Sequence, residues 1–214
     1  MTWDELTDRC QLYCDAPRNL LKKLLQEAEE ELTRNCDIYE VVKAFDTKVE
    51  YDNRHLPYNT DSQGIKYDTN EVFLYDKNHQ YKKMIVATWK GRKLKPVDEL
   101  ESHYDSDNKV YTGEPTGYWI HNDSVVLNKD PGATTSKLLI KYYAMIKNNN
   151  YTDELPLINP MYHKDLCDYA ISVATAKENP QLSVGHFNLW MSRIELIKTQ
   201  EGDRELNPTI REEI

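Results

Sequence analysis

Gly113-Glu114-Pro115-Thr116-Gly117-Tyr118-Trp119-Ile120-His121-Asn122-Asp123-Ser124-Val125-Val126-Leu127-Asn128-Lys129-Asp130-Pro131, followed by Lys137-Leu138-Leu139-Ile140-Lys141-Tyr142-Tyr143-Ala144, is the stretch that decides the fold. Thr116–Ile120, Val125–Leu127 and Leu138–Ala144 read as short β runs, rich in aromatic and β-branched residues and separated by Asn-Asp and Pro-Gly turn signals. Further runs at Ile38–Val49, Val72–Tyr75 and Tyr81–Trp89, with Asp76-Lys77-Asn78-His79 and Lys90-Gly91-Arg92 as turn clusters, extend this into a hairpin-rich region of about one hundred residues. Asn53–Asn70 and Asp98–Asn108 lack periodicity and read as loops, with one helical turn possible over Asp98–Tyr104.

Helical sequence lies on both sides. Thr2-x-x-Glu5 is a capping-box pattern, and Trp3, Leu6, Cys10 and Tyr13 follow at helical spacing. Asp15 with Pro17 in the first turn starts a second helix, whose Leu20, Leu21, Leu24, Leu25, Ala28 and Leu32 share one face. Its other face, with Lys22, Lys23, Glu27, Glu29, Glu30 and Glu31, reads as solvated. After a polar linker over 147–154, Asn159-Pro160 opens a third helix with the stripe Tyr162, Leu166, Tyr169, Ala170 and Val173. Beyond Pro180 a fourth helix, capped by Ser183, presents Phe187, Trp190, Met191, Ile194 and Ile197. The fold class is therefore α+β: a helical bundle from the N- and C-terminal helices with a large β-rich, antiparallel-hairpin insertion. The expected division is 1–37 with 147–200 as the helical domain, 38–146 as the insertion, and 201–214 as a C-terminal arm carrying Leu206, Ile210 and Ile214 at four-residue spacing.

Composition narrows the function. The 27 Lys and Arg against 36 Asp and Glu give a formal charge of -9, which opposes gripping nucleic acid by phosphate neutralisation without forbidding a ring through which DNA slides. The apolar runs are far too short for a membrane span, and Met1-Thr2-Trp3-Asp4-Glu5 lacks a signal pattern, so cytoplasmic synthesis without membrane insertion is expected. Cys10, Cys14, Cys36 and Cys167 include no Cys-x-x-Cys and are expected to be reduced thiols serving as small apolar groups.

No phosphate loop, His-Glu-x-x-His, nucleophile elbow or Cys/His array is present, so no catalytic, cofactor-binding or metal residue is assigned and the chain is not expected to be an enzyme. Asp105-Ser106-Asp107-Asn108 begins like a calcium loop, but Val110 stands where the turn needs glycine and Thr116 where it needs glutamate. The six histidines are scattered and read as solvated or hydrogen-bonded. Lys90, Arg92, Lys93 and Lys95 form the only dense basic run, a hairpin loop that either is merely solvated or meets an acidic partner or channel DNA. Tyr118 and Trp119 read as core or sheet-face aromatics, or as subunit contacts together with Leu206, Ile210 and Ile214.

The order of the acidic-leucine helix Leu20–Leu32, the strand block Gly113–Leu127 with Pro131, the strand Ile140–Tyr143, the segment Leu155-Pro156-Leu157-Ile158 and the helix Tyr162–Ala176 resembles that of phage head-to-tail adaptor proteins. This family includes connectors, head-completion proteins, tail accessory factors and tail tubular protein A-like chains. The resemblance spans residues 3–198 and implies a non-enzymatic virion protein without cofactor. Its subunits would form a dodecameric ring beneath the portal protein, extend or close a channel for double-stranded DNA, and hold the next tail component. Two other classes stand beside it: a virion-associated peptidoglycan hydrolase, which would need a carboxylate pair in a cleft, and a monomeric cytoplasmic protein-binding module.

Overall fold

A computed structural model describes residues 1–46, 71–73, 79–98, 113–121, 124–129, 137–147 and 155–206. Among the described residues four α-helices, α1 (Trp3–Gln11), α2 (Arg18–Asn35), α3 (His163–Thr175) and α4 (Pro180–Leu206), and a 3-10 turn at Pro160–Tyr162 accompany eight strands. The strands are β1 (Glu40–Asp46), β2 (Glu71–Phe73), β3 (His79–Trp89), β4 (Arg92–Lys93), β5 (Lys95–Pro96), β6 (Gly117–His121), β7 (Ser124–Leu127) and β8 (Lys137–Ile146). The α+β class expected from the sequence is what the chain adopts. Two compact units divide it: Met1–Tyr39, Lys77–His79 and Ala144–Ile214 form one, and Glu40–Asp76 with Gln80–Tyr143 the other.

In the first unit the helices bury one stripe each. The Thr2–Glu5 capping box closes with both of its hydrogen bonds, Glu5 N–H to Thr2 Oγ1 at 3.1 Å and Thr2 N–H to Glu5 Oε2 at 2.8 Å. Trp3, Leu6 and Cys10 then face inward. Leu21, Leu24, Leu25, Ala28 and Leu32 of α2 meet Leu166, Cys167, Ala170 and Ile171 of α3, and Trp190, Ile194 and Ile197 of α4 complete the core. All four cysteines are free thiols, and Cys10, Cys36 and Cys167 are buried in this core as small apolar groups.

Several helix readings are corrected. Helix α2 begins at Arg18 with Pro17 as a cap that offers no side-chain hydrogen bond, so Asp15 does not start it. Helix α4 begins at Pro180, where a missing N–H costs nothing. Its cap is Asn179, whose Oδ1 accepts from Leu182 N–H at 3.2 Å. Ser183 lies inside the helix and donates to the Ser172 carbonyl at 2.7 Å. Leu20, Val173, Phe187 and Met191 are exposed, because each sits at the margin of its stripe and the buried face is narrower than the periodicity implies. Helix α4 continues to Leu206, so 201–206 is helix where an arm was expected, while Ile210 and Ile214 lie outside the described residues.

The second unit holds two four-stranded sheets, ordered β1-β8-β3-β4 and β2-β7-β6-β5. Strand β1 runs antiparallel to β8, from Glu40 opposite Tyr143 to Asp46 opposite Lys137. Leu138, Ile140 and Tyr142 alternate inward along β8 as a half-buried strand requires. β6 and β7 are antiparallel, with Trp119 opposite Val126. The expectation of hairpins throughout fails at β5, which pairs with β6 in parallel. The expected turn cluster at 76–79 ends in His79, which is buried at the head of β3. The loop regions 53–70 and 99–108, with the proposed helical turn, fall outside the described residues.

Candidate functional site

The basic run is placed by a tight hairpin. Lys90 (φ 48°) and Gly91 (φ 75°) both take left-handed backbone, which suits a two-residue turn matching the strand twist, and Trp89 pairs with Arg92 across it. Lys90 is the one non-glycine residue with positive φ among those described, and nothing occupies the space where a Gly91 side chain would stand. Lys90 therefore holds a conformation that most residues avoid. Its ammonium reaches Glu114 Oε1 at 2.7 Å, and Arg92 lies 3.8 Å from Glu114 Oε2. The hydrogen bond from Lys90 holds the Glu114 carboxyl below the usual carboxylate range.

After the turn the chain passes from one sheet to the other. Leu94 N–H bonds the Ala87 carbonyl at 2.8 Å, and Lys95 N–H bonds that of Thr116 at 3.1 Å. The run is thus not a single loop. Arg92 and Lys93 are in β4 and Lys95 is in β5, because main-chain pairing on both sides claims these residues. The parallel approach of β5 to β6 requires Gly117: a side-chain carbon there would stand 2.6 Å from Val97 Cγ1 and 2.9 Å from the Lys95 carbonyl.

Asn128 fixes the other wall. Its Oδ1 accepts the N–H groups of Thr116 and Gly117, each at 3.0 Å, and its Nδ2 donates to Thr116 Oγ1 at 3.1 Å. Its own N–H donates to the Gly117 carbonyl at 3.0 Å. The sequence places Asn128 after a strand but shows no sign of this clamp, since its two partner residues, Thr116 and Gly117, lie twelve and eleven residues upstream.

These elements enclose a cleft of about 430 Å³ within the β-rich unit. Its apolar lining comes from Trp89, Leu94, Val97 and Pro115; Lys90, Arg92, Lys93, Lys95 and Glu114 supply charge, and Thr116 closes one side. The volume is within the range of about 300–1,000 Å³ typical of ligand pockets. Lys93 and Lys95 are exposed and have no ion-pair partner among the described residues. Trp89 is buried, and its indole N–H has no acceptor among the described residues. Such a surface suits an anionic ligand that also carries an apolar group.

Tyr118 and Trp119 do not join this surface. They are 7% and 8% exposed, which removes them from an exposed contact patch and makes them interior sheet aromatics. Burial also pushes the Tyr118 phenol up. Among the proposed contact residues, Leu206 ends α4, and Ile210 and Ile214 are not described.

The helical unit buries polar groups of a different kind. Glu29, read as solvated, is 0% exposed: its Oε1 accepts Leu157 N–H at 2.5 Å and Ile158 N–H at 3.0 Å. One turn on, Thr33 Oγ1 accepts Ile146 N–H at 3.0 Å. The face of α2 carrying these two residues thus accepts amides from the end of β8, at Ile146, and from the segment before α3, at Leu157 and Ile158. His163 is buried between the Met1 amino group, 3.0 Å from Nδ1, and the Ile158 carbonyl, 3.0 Å from Nε2. Burial pulls its pKa down. Asp168 pairs with His186 at 2.8 Å, the His186 ring meeting the Tyr13 ring edge to face, and Asp165 pairs with Arg193 at 2.9 Å. Burial raises the Asp165 carboxyl against the opposing pull of Arg193. These pairs tie α3 to α4; no hydroxyl or thiol hydrogen-bonds His186 among the described residues.

Among the described residues no cluster of three His, Cys, Asp or Glu side chains could hold a metal ion, and no helix is long and apolar enough to cross a membrane. Comparison of the sequence with models of known families and with characterised proteins finds no match.

Proposed function

We propose that this chain is a structural head-to-tail adaptor of a tailed-phage virion, one subunit of a ring beneath the portal protein that extends the DNA channel and holds the next tail component. The observation that carries the reading is the order of elements. Helices α1 and α2 from one end of the sequence pack with α3 and α4 from the other, and β-rich chain lies between them. That is the arrangement through which the sequence resembles the adaptor family. The acidic balance suits a wall past which DNA phosphates slide, since like charge discourages adhesion. A closed ring needs a side-to-side contact between unlike faces. Helix α4 leaves Val184, Phe187 and Met191 exposed along one face, at spacings of three and four residues.

The test is to mix the purified chain with the portal protein of the same virus and examine the product by native mass spectrometry and cryo-electron microscopy. The expected result is a ring of this chain on the portal. A chain that stays monomeric and unattached at micromolar portal concentration would refute the adaptor assignment.

A further inference from the structure

We propose that the cleft beside the β3–β4 turn receives the acidic, aliphatic segment 201–214 of a second copy of this chain; the inference rests on the ring reading above and names one of its contacts. The first argument is charge. Four cations face the cleft against the single carboxylate of Glu114, and two of them, Lys93 and Lys95, are exposed without an ion-pair partner among the described residues. The segment Glu201-Gly202-Asp203-Arg204-Glu205-Leu206-Asn207-Pro208-Thr209-Ile210-Arg211-Glu212-Glu213-Ile214 carries five acids and two arginines, the opposite sign; half-buried Glu201 belongs to α4, and the contact is assigned to the acids beyond it, Glu212 and Glu213 above all.

The second argument is the apolar lining. The apolar part of the lining is small, because Trp89, Leu94 and Pro115 are buried and Val97 is half-buried; one aliphatic side chain, Ile210 or Ile214, beside Glu212 and Glu213 matches it together with the cations. The Glu114 carboxylate within the cleft further disfavours a polyanion of uniform charge, because Lys90 and Arg92 are already engaged with it.

The experiment is charge reversal and rescue in the full chain, read by sedimentation velocity at low and high salt. Lys93→Glu with Lys95→Glu makes one variant, and Glu212→Lys with Glu213→Lys makes the other. Lys93 and Lys95 are exposed, so circular dichroism and melting of the first variant should match the parent. Each variant alone should self-associate about tenfold more weakly than the parent, and an equimolar mixture should recover most of that loss. Added salt should weaken the parent in the same direction.

Unchanged association of either variant, or a mixture that fails to recover, overturns the inference. Recovery only when all four substitutions share one chain overturns it too, by making the contact internal. If the parent is monomeric, binding of a free 201–214 peptide, lost in the Lys93→Glu/Lys95→Glu variant, supports the inference, and its absence at millimolar peptide overturns it. Duplex DNA that binds the parent and not this variant, where the peptide does not bind, assigns the cleft to nucleic acid. Normal rings on the portal from both variants would sink this contact and leave the adaptor reading standing. Rescue by mixing without portal binding would do the reverse.

Discussion

The two units treat charge in opposite ways. On α2 the carboxylate of Glu29 is taken fully inside because the returning chain presents two amides, at Leu157 and Ile158, that need an acceptor. In the β-rich unit the amides near the basic run are met by strand carbonyls and by Asn128, and Arg92, Lys93 and Lys95, whose side chains can only donate, stay at the surface around a cleft. An acceptor side chain is buried where main-chain amides supply its hydrogen bonds, whereas donor-only cations keep water as their partner. The buried Glu29 carboxyl therefore supports folding, and exposed Lys93 and Lys95 of the β-rich unit remain at the surface.

The largest effect should come from the helical core. Leu24→Asp or Trp190→Asp places an unpaired charge among apolar side chains and should lower stability by roughly 3–5 kcal/mol. Chemical denaturation monitored by far-ultraviolet circular dichroism reads this directly, and near-parental midpoints would show that these stripes are not core.

Glu29 tests the contrast more sharply. Glu29→Ala strands two amides and should cost about 2–4 kcal/mol, while the same change at exposed Glu27 should stay within about 0.5 kcal/mol. Glu29→Gln keeps an acceptor oxygen and should recover part of the loss. Equal effects at positions 27 and 29 would remove the distinction between the two faces of α2.

Within the β-rich unit, Gly117→Ala drives a methyl group against Val97 and the Lys95 carbonyl and should cost about 1–3 kcal/mol. The change should also loosen ligand binding in the cleft, since β5 must move away from β6. Hydrogen exchange at Lys95 and Val97, whose amides bond Thr116 and Tyr118, is the local readout, and parental protection there would argue against close parallel pairing.

The smallest effect is a pH dependence confined to the helical unit. His163 has its pKa lowered by burial from an ordinary value of about 6.5. Below that value the unfolded chain binds a proton that the folded one resists. Its contribution is therefore fully present above about pH 6.5 and declines as pH falls toward the folded pKa. Asp165 acts oppositely and lower on the scale: its raised pKa lets the folded state hold a proton above the ordinary Asp range, so stability from this group falls as pH rises through that window. Melting temperatures measured between pH 5 and 7.5 should decline toward acid in the parent and flatten in His163→Gln. An equal slope in the variant would place the titration elsewhere.

The sequence by itself determined the class of the fold and most of its elements, because those depend on local periodicity and capping. The Thr2–Glu5 box, the α2 leucine stripe and the strands ending at Trp89 and Leu127 were legible as short-range patterns. The basic run was legible as charge, although not as the rim of a cleft. Tertiary structure decided what local pattern cannot carry. It chose which stripe residues are covered, exposing Phe187 and Met191 at 48% and 40% while burying Trp190. It reversed the expected place of Glu29, whose partners stand 128 and 129 residues away. It also made β5 parallel to β6 and brought Asn128 back onto Thr116 and Gly117. Each of these turns on an amide or an apolar surface presented by distant chain, and periodicity in a sequence reports only on neighbours a few residues apart.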